Sequence, residues 1–438
     1  MSKGKIIVIE CISSAVNYVN DIKDEGYEPV LLEPYCSPYM RWYFRKFHDG
    51  ELLKILKDKS EFPPIIMAKR DYKDTLEQIR KINPVLIIPG SDRGIELAAK
   101  LSHDLGLIGN NPDNLPKMRD KFTAQQALKK NGVRSIESAV VTSEQEAVDF
   151  FKELQKTGRT AVVKPISGIA SYGVFMCNTE DDVKKAYNSN VKNMVYASYN
   201  GNSNGVLIQE CIKGDEYVVN SVSCCGVHKI TVIAKYHKET VSNGARIYSS
   251  TISLDYSSDL AKKLADYQLK VLDSIGIEYG AVHSEIMIDE NGPVLIEANC
   301  RLFGGSNKSD FFEECYGGSE SKWSLRSYLY KDIFSEIDDI FIFKNLKYRL
   351  VKDVATYRPV FVTKFLLDNL LKDFPEYRYY YLEKKRGYFS KTINVSTQLA
   401  AVSFACDSQD RANEISNILS DIQKNHTEKL YKGIKLFW

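Results

Sequence analysis

Apolar and polar residues alternate with two different periods over the first 110 positions of the chain. Short apolar runs have the length of buried strands, and the segments between them repeat their apolar residues at helical spacing. The predicted elements are strands at residues 5–10, 29–32 and 85–88 and helices at residues 13–25, 75–82 and 94–105. Ser13 is expected to cap the first helix and Gly26 to end it. Alternating strands and helices favour a parallel sheet covered on both faces, so we predict an N-terminal α/β domain.

The pattern changes at a turn-rich junction that begins at residue 110. Asn114 is a suitable cap for a predicted helix over residues 117–130. The segments that follow alternate irregularly, which is typical of an α+β domain. Its predicted strands are residues 139–141, 160–165, 174–177, 205–212, 216–224, 229–236, 281–288 and 294–301, and its predicted helices are residues 144–154 and 258–275. Beyond residue 340 only a strand at 398–405 and a helix at 409–424 stand out, which predicts a small β-α appendage.

Composition favours a soluble globular protein that acts on small molecules. The 438 residues are 44% hydrophobic, and the formal net charge is only +2, so no global field attracts nucleic acid or an anionic membrane. The apolar run near the N-terminus is too short for a signal peptide, and no stretch approaches membrane-spanning length, so we expect a cytoplasmic location. Nine cysteines and six histidines show no zinc-ligand spacing, and buried thiols are expected. A homodimer is compatible with this composition.

Two segments of the predicted N-terminal domain argue against nucleotide or nucleic-acid binding there. The first strand continues into Glu10-Cys11-Ile12-Ser13, where a dinucleotide-binding fold would need a glycine-rich phosphate cradle. Residues 35–47 are aromatic and basic and are able to stack bases, but nothing nearby repeats the pattern, which favours a packed loop or a partner surface. We therefore expect a substrate-binding or structural role for this domain.

The most informative segment, residues 281–301, consists of two alternating strands joined by Asn291-Gly292. A three-residue turn at 290–292 would pair residues whose numbers sum to 582, so that Glu285 faces Glu297. Because side chains alternate along a strand, one face collects several polar groups. These are His283, Glu285, Glu297, Asn299 and Arg301.

Two carboxylates that face each other across a sheet repel unless a cation lies between them. Oxygen ligands from Glu285, Glu297 and Asn299 suit Mg²⁺ or Mn²⁺, and Arg301 adds a fixed charge for a phosphate or carboxylate. The alternative is a solvated outer sheet face, on which the same side chains simply meet water.

Two further segments are consistent with a polyphosphate ligand. Lys164 precedes a loop of small residues, 167–173, whose backbone N–H groups are able to approach phosphate closely; the alternative is a hairpin turn with a lysine that reaches to solvent. Residues 207–217 join two strands. They are either a surface connection or a hinge at which Glu210 reads an adenine edge and Glu216 accepts ribose hydroxyls.

Taken together and in order, these segments resemble the signature of the ATP-grasp superfamily over roughly residues 110–305. The matching segments are Met118-Arg-Asp-Lys121, Val162-Val-Lys164-Pro, the loop at 167–173, Gln209-Glu210 with Gly214-Asp-Glu216, His283-Ser-Glu285 and Glu297-Ala-Asn299-Cys-Arg301. The resemblance implies an ATP-grasp fold of α/β and α+β parts. It implies a Rossmann-like N-terminal domain (1–110), a small lid subdomain with the phosphate loop (111–204), a subdomain with the metal site (205–340) and a small α/β appendage (341–438).

The resemblance also implies roles for individual residues. ATP would contact Lys121, Lys164, Ser167, Gly168, Ser171, Gly173, Glu210, Ile212 and Glu216, and the metal would be held by Glu285, Glu297 and Asn299. Lys164 and Arg301 would be catalytic, and His283, Arg246, Arg301 and Gly304 would contact substrate. The implied reaction joins a carboxylate to an amine through an acyl phosphate and releases ADP and phosphate.

The whole-chain layout is most similar to L-amino-acid ligases, the dipeptide synthetases of this superfamily. The alternatives are a biotin-type carboxylase, a nucleotide-biosynthetic ligase, or an ATP-binding regulator without turnover. Residues 236–246 match no family pattern, so the sequence does not identify the acid or the amine.

Overall fold

The computed structural model describes residues 2–36, 62–166, 173–197, 205–240, 246–305, 307–393 and 397–435. Most of the aromatic and basic stretch at 35–47 lies outside these ranges, so its predicted role stays a prediction. No helix within them is long and apolar enough to span a bilayer.

The N-terminal region is the predicted parallel sheet with helices on both faces. Its strands are β1 (Lys5–Ile9), β2 (Glu28–Glu33), β3 (Ile65–Met67) and β4 (Leu86–Pro89), in the order β3-β2-β1-β4, and its helices are α1 (Tyr18–Asp24), α2 (Tyr72–Ile82) and α3 (Gly94–Asp104). Ile6 and Val8 of β1 pack on one side with residues of α1, while Ile7 and Ile9 pack on the other with residues of α2 and α3. Both faces of β1 are therefore buried, which explains its continuous apolar run.

The prediction that Ser13 caps a helix is wrong. Ser13 begins a short 3-10 turn, Ser13–Asn17, and has a φ of +57°. Its Oγ accepts a hydrogen bond from the Gly305 N–H at 3.1 Å, so the hydroxyl is used in a contact with a distant loop. Gly26, with a φ of +84°, follows the end of α1 as predicted.

The predicted helix over 117–130 is divided in two, and Asn114 occupies the N-cap position of the first piece without a capping hydrogen bond from its side chain. The two pieces are α4 (Leu115–Arg119) and α5 (Lys121–Lys130), separated by Asp120 in an extended conformation. The Asp120 carboxylate accepts a hydrogen bond from the Thr123 N–H at 2.6 Å and caps α5, while the Asn114 amide donates to the Gly276 carbonyl. The break leaves Lys121 as the first residue of α5.

A small antiparallel sheet follows, in the order β5-β8-β6-β7. Its strands are β5 (Ser138–Val141), β6 (Ala161–Pro165), β7 (Phe175–Cys177) and β8 (Val206–Glu210), and its helices are α6 (Glu144–Gln155) and α7 (Glu180–Ala197). Apolar residues of both helices pack against the sheet. Sequence reasoning missed α7.

The largest sheet has eight strands in the order β13-β12-β9-β10-β11-β14-β18-β16. They are β9 (Asp215–Cys224), β10 (Val227–Thr240), β11 (Arg246–Ser253), β12 (Gly280–Asp289), β13 (Gly292–Asn299), β14 (Tyr348–Val354), β16 (Tyr377–Leu382) and β18 (Ala400–Cys406). This sheet runs across position 340, where the sequence placed a domain boundary. A separate three-stranded sheet contains β15 (Val360–Phe365), β17 (Gly387–Phe389) and β19 (Tyr431–Lys435).

Five helices accompany these sheets. They are α8 (Asp259–Ile275), α9 (Ser309–Tyr316), α10 (Glu320–Leu329), α11 (Leu367–Leu371) and α12 (Gln409–Asn425). Residues of α8 and α9 belong to the main core of the eight-stranded sheet. The core beside β14 and β18 includes residues of α11 and α12.

The N-terminal region and α10 meet through buried polar contacts. Tyr18 Oη donates to Ser324 Oγ at 2.8 Å, and Ser321 Oγ donates to Asp21 Oδ2 at 2.5 Å. Asp21 is only 6% exposed, and burial is the main cause that raises the pKa of its carboxyl from 3.8 to about 7, although the Ser321 hydrogen bond opposes the rise. This carboxyl should therefore favour its protonated form in the folded protein.

Asp21 predicts a specific pH dependence of stability. Its folded pKa lies above its unfolded pKa, so its contribution to stability is fully present below about pH 4 and is lost as pH rises through about 7. Asp21→Asn is expected to gain stability relative to the wild type by about 2 kcal/mol more at pH 8 than at pH 5. Urea unfolding at the two pH values measures this difference. Asp24→Asn, at an exposed position of α1, is the matched control, and an equal effect of Asp21→Asn at both pH values would show that the carboxyl does not titrate as described.

Candidate active site

The hairpin of β12 and β13 brings the predicted carboxylates together. Glu285 faces Glu297, and His283 faces Asn299. Both pairs were predicted from the sequence and are confirmed. Because directly opposed residues of an antiparallel pair point to the same face, the four side chains share one surface of the eight-stranded sheet.

The turn that connects these strands differs from the prediction. Gly292 pairs with Asp289, so the turn contains only residues 290 and 291 and the three-residue turn at 290–292 is wrong. A two-residue turn alone would place Ile296 opposite Glu285. A bulge at Ile296 inserts one extra residue in β13 and restores the pairing of Glu285 with Glu297. The predicted turn is one residue too long, and the predicted strand lacks the bulged residue. These two errors cancel, so the predicted pairing of Glu285 with Glu297 is correct.

Lysine side chains surround this acidic pair. Lys121 Nζ, at the start of α5, lies 3.0 Å from Glu297 Oε2. Lys164, on β6, is only 7% exposed. Burial is the main cause that lowers the pKa of Lys164 to about 8, and repulsion by Lys121 lowers it further, although three carboxylates oppose this shift. Two ammonium groups close enough to repel form a suitable place for a polyanion.

Glu285 is surrounded by other charged groups of the candidate site. Burial, followed by repulsion from Glu216 and Glu297, raises the pKa of the Glu285 carboxyl to about 7, while Lys238 and Lys121 oppose the rise. The carboxylates of Glu216, Glu285 and Glu297 are therefore close enough for the first and third to disfavour the ionised form of Glu285. A divalent cation between Glu285 and Glu297 would relieve their repulsion and favour the ionised form of Glu285.

Glu216, the predicted ribose contact, is paired with a lysine that sequence reasoning did not identify. Glu216 faces Met287 on β12 and Tyr236 on β10, which places it on the same face as Glu285. Lys238 Nζ lies 2.7 Å from both carboxylate oxygens of Glu216. Both side chains are nearly buried, so the contact with Lys238 fixes Glu216 in position.

Glu210, the predicted adenine contact, is held at the end of β8 by a cation. Arg159 Nη1 lies 2.6 Å from Glu210 Oε2 and 2.7 Å from Glu137 Oε2. The Glu137 N–H also donates to Glu210 Oε1 at 3.3 Å. The Glu210 side chain is therefore engaged in an ion-pair network, and Ile212, two residues further on, packs with Ile136 and Met287.

Arg301 connects the candidate site to the N-terminal region. Its Nε and Nη2 atoms each donate to Asp92 across 3.1 Å, and its Nη1 donates to the Leu302 carbonyl at 2.9 Å. Asp92 follows β4 at the carboxyl end of the parallel sheet, where such folds usually bind ligands. The two-point contact fixes the plane of the guanidinium.

His283 is a buried and neutral component of the site. Its Nδ1 lies 2.9 Å from Asn220 Oδ1, and its ring stacks on Phe303 with a centroid distance of 4.7 Å. Burial, and then repulsion by Arg301, lowers the pKa of His283 well below 6.5. Its Nε2 is 3.9 Å from Glu285 Oε1, so a neutral imidazole borders the acidic pair.

The remaining predicted residues lie in different positions. Ser167, Gly168 and Ser171 are outside the described residues. Gly173 has a φ of +73°, and a Cβ there would lie 2.7 Å from Asn190 Oδ1, so this position requires glycine. Arg246 is exposed at the start of β11 and acts electrostatically on Cys211, which places it near the predicted hinge. The Gly304 carbonyl accepts a hydrogen bond from the Asn307 amide at 2.6 Å.

Sequence reasoning missed Lys238 and Asp92, and only Asp92 had a signal. Lys238 lies in the segment 236–246, which matched no pattern, and it is two residues from Tyr236 on the same strand. Asp92 follows the small-residue sequence Gly90-Ser91 at the carboxyl end of a buried strand, a position that is typical of ligand contacts in parallel sheets.

A family model described as an ATP-grasp domain matches residues 158–310, which contain β6, Lys164, the hinge and the acidic hairpin. The chain thus contains an ATP-grasp domain over these residues. The ATP-grasp resemblance and the mixed α/β fold predicted from the sequence are therefore confirmed.

Known proteins similar to this chain include two curated proteins and one solved structure. Dapdiamide A synthase from Enterobacter agglomerans is 31% identical over 258 residues, which are 58% of this chain and 59% of that protein. Alanine–anticapsin ligase from Bacillus subtilis is 25% identical over 290 residues, 61% of each chain. The crystal structure of an L-amino acid ligase from Bacillus licheniformis has a TM-score of 0.72 with 13% identity and covers 100% of both chains, a likeness of fold. The match thus spans about three fifths of the length of these two curated relatives.

The ATP-grasp site has the donors that a hard divalent cation requires. Glu285 and Glu297 supply opposed carboxylates, and Asn299 supplies an amide oxygen beside them. The described residues contain no group of three or more His, Cys, Asp or Glu side chains that could hold a metal. Burial and then repulsion from Glu216 and Glu297 raise the pKa of Glu285, and a divalent cation would relieve that repulsion, so the residues fit Mg²⁺ or Mn²⁺.

Proposed function

We propose that the protein is an ATP-dependent ligase that forms an amide bond between the carboxylate of one amino acid and the amine of another. ATP is cleaved to ADP and phosphate. The observation that carries the proposal is the separation of charge at one site: opposed carboxylates at Glu285 and Glu297 beside two mutually repelling lysines, Lys121 and Lys164. Carboxylates suit a cation, lysines suit phosphate, and the two together suit a metal–nucleotide complex.

The reaction requires activation of the acid. A carboxylate is a poor electrophile because its charge is delocalised, and phosphorylation of one oxygen creates an acyl phosphate that an amine attacks readily. Lys121 and Lys164 would bind the phosphates of ATP, and Arg301, fixed by Asp92, would stabilise negative charge on the transferred group or on the acid. Mg²⁺ held by Glu285, Glu297 and Asn299 would supply further charge neutralisation at the phosphates.

The remaining contacts orient the nucleoside. Glu216, held by Lys238, is positioned to accept hydrogen bonds from ribose hydroxyls. The end of β8, with Glu210 and Ile212, would provide the adenine contacts. The buried, neutral His283 beside Glu285 would border the acid substrate. All nine cysteines are free thiols, which supports a reducing compartment such as the cytoplasm.

ADP release measured over a matrix of single amino acids and amino-acid pairs, with mass spectrometry of the products, tests the proposal. We expect ADP release that depends on two amino acids and a product whose mass equals their sum minus water. ADP release with bicarbonate alone would instead identify a carboxylase. Tight ATP binding without phosphate release under any mixture would identify a regulator.

The contact between Asp92 and Arg301 makes a separate prediction. Asp92→Asn removes the charge that fixes the guanidinium, and kcat is expected to fall by roughly 10-fold with little change in the KM for ATP, since Arg301 acts on the transferred group. Steady-state kinetics measure both values. Glu96→Gln, which disrupts an exposed ion pair on α3, is the control. An unchanged kcat in Asp92→Asn would show that the contact with Asp92 does not position Arg301 for the reaction.

A further inference from the structure

Arg349 occupies the same cross-strand row as the acidic pair. Along this row Glu285 faces Val218, Val218 faces Ala234, and Ala234 faces Ser253. Ser253 lies beside Arg349, because the Arg349 N–H donates to Ser253 Oγ at 2.7 Å and Ser253 Oγ donates to the Arg349 carbonyl. Directly opposed residues share a face, so the Arg349 side chain leaves the sheet on the side that carries the ATP-grasp site.

The Arg349 guanidinium is buried and incompletely paired. Arg349 is 2% exposed, and its Nη2 donates to Asn307 Oδ1. Within the described ranges, its Nε and Nη1 atoms have no hydrogen-bond partner. Three aromatic rings lie within 6.0 Å of Cζ and favour a cation at this position: those of Phe303, Phe311 and Phe312. A buried arginine cannot lose its proton, so its remaining N–H groups require an acceptor.

The nearest acids do not supply that acceptor. Glu320 and Asp353 act on Arg349 electrostatically, but neither forms an ion pair with it among the described residues. Glu320 accepts a hydrogen bond from Thr231 Oγ1 at 2.8 Å. Burial is the main cause that raises the pKa of both carboxyls to about 7, which weakens their ability to neutralise a permanent cation.

Arg349 is close to the reacting groups but separated from them by Phe303. The Phe303 ring lies 4.7 Å from the His283 ring and 5.2 Å from Arg349 Cζ, so His283 and this guanidinium are no more than about 10 Å apart. Tyr236 experiences the charges of both Arg301 and Arg349. The charge of Arg349 therefore reaches the candidate site from the far side of the Phe303 ring.

We propose that Arg349 binds the α-carboxylate of the amino acid that supplies the amine. This inference rests on the proposed ligase function. The acid component places its carboxylate at the metal and Arg301, where it is phosphorylated. The amine component also carries a carboxylate, which must be held at a different place so that it is not activated. The free N–H groups on Nε and Nη1 of Arg349, behind the Phe303 ring, provide that place.

A comparison of three amine components distinguishes carboxylate binding by Arg349 from a purely structural role of this residue. The components are the standard amino acids, the carboxamide of each amino acid that gives a product, and hydroxylamine, which traps the acyl phosphate as a hydroxamate. For the wild type we expect the free amino acid to be preferred over its carboxamide. Arg349→Gln is expected to lower kcat/KM for the free amino acid by roughly 30-fold, the loss of a charge-assisted hydrogen bond, and to change the other two reactions by less than about 3-fold.

Arg378→Gln is the matched control, because Arg378 lies on β16 of the same sheet and pairs with Glu314 outside the row. Arg349→Lys retains the charge and should recover part of the lost preference. If Arg349→Gln does not fold, the same comparison is made with Arg349→Lys, for which a smaller loss confined to the free amino acid is expected.

An equal loss in all three reactions, or no loss with the free amino acid, would overturn the assignment of Arg349. Equal use of the free amino acid and its carboxamide by the wild type would overturn it as well. Failure of the proposed function is distinguishable, since the wild type would then form neither amide nor hydroxamate.

Discussion

Glu297→Gln is expected to reduce the rate of amide formation by about 1,000-fold or more. The substitution removes a charged ligand of the metal that would neutralise the negative charge developing during phosphate transfer. The replacement has nearly the same shape, and Glu297 is partly exposed on β13, so the fold should be retained. ADP release and product formation measure activity, and thermal unfolding measures the fold.

Glu290→Gln is the control for this substitution, since Glu290 lies at the exposed turn of the same hairpin. It should behave as the wild type. Near-normal turnover in a folded Glu297→Gln protein would mean that the carboxylate does not bind the metal, and the opposed pair would then be only a feature of the sheet surface.

Lys164→Met is expected to weaken ATP binding by roughly 100-fold, because it removes a buried cation from the phosphate site. The same substitution should raise the free energy of unfolding. The folded pKa of Lys164 is lowered from 10.5 to about 8, so the cost of burying its charged form grows as pH falls from 10.5 to about 8 and is constant below that. At pH 7 the gain should be about 3 kcal/mol, and it should vanish above about pH 10.5.

Titration calorimetry with ATP and urea unfolding at pH 7 and pH 10 measure these two effects of Lys164→Met. Lys152→Met, at an exposed ion pair with Glu180 in the same region, is the control and should change neither quantity greatly. Lower stability together with unchanged ATP affinity would indicate that Lys164 is a structural residue.

Local patterns predicted much of the fold and the acidic hairpin. The buried runs of β1, β2 and β4 are continuous and apolar because helices cover both faces of their sheet, a signal that is easily read. The hairpin was predicted from Asn291-Gly292 and the alternation around it. Its bulge at Ile296 was not, since a bulge has no compositional signal in this strand.

The missed elements have polar sequences that tertiary packing buries. β11 contains four serine or threonine residues among eight, and β14 carries Arg349, Lys352 and Asp353 in buried positions. Charged residues in the interior of a sheet contradict the apolar pattern on which strand prediction depends. Lys238 and Arg349 join the candidate site only through strand pairing across long sequence separations, which no local spacing reveals.

A metal ion between Glu285 and Glu297 is expected to bind the terminal phosphate of ATP. A crystal grown with Mn²⁺ and a non-hydrolysable ATP analogue tests it directly, because anomalous scattering locates the metal. We expect an anomalous peak within bonding distance of both carboxylates, with the γ-phosphate on its other side near Lys121 and Lys164. A nucleotide bound elsewhere, or one bound here with no metal at these two carboxylates, would contradict it.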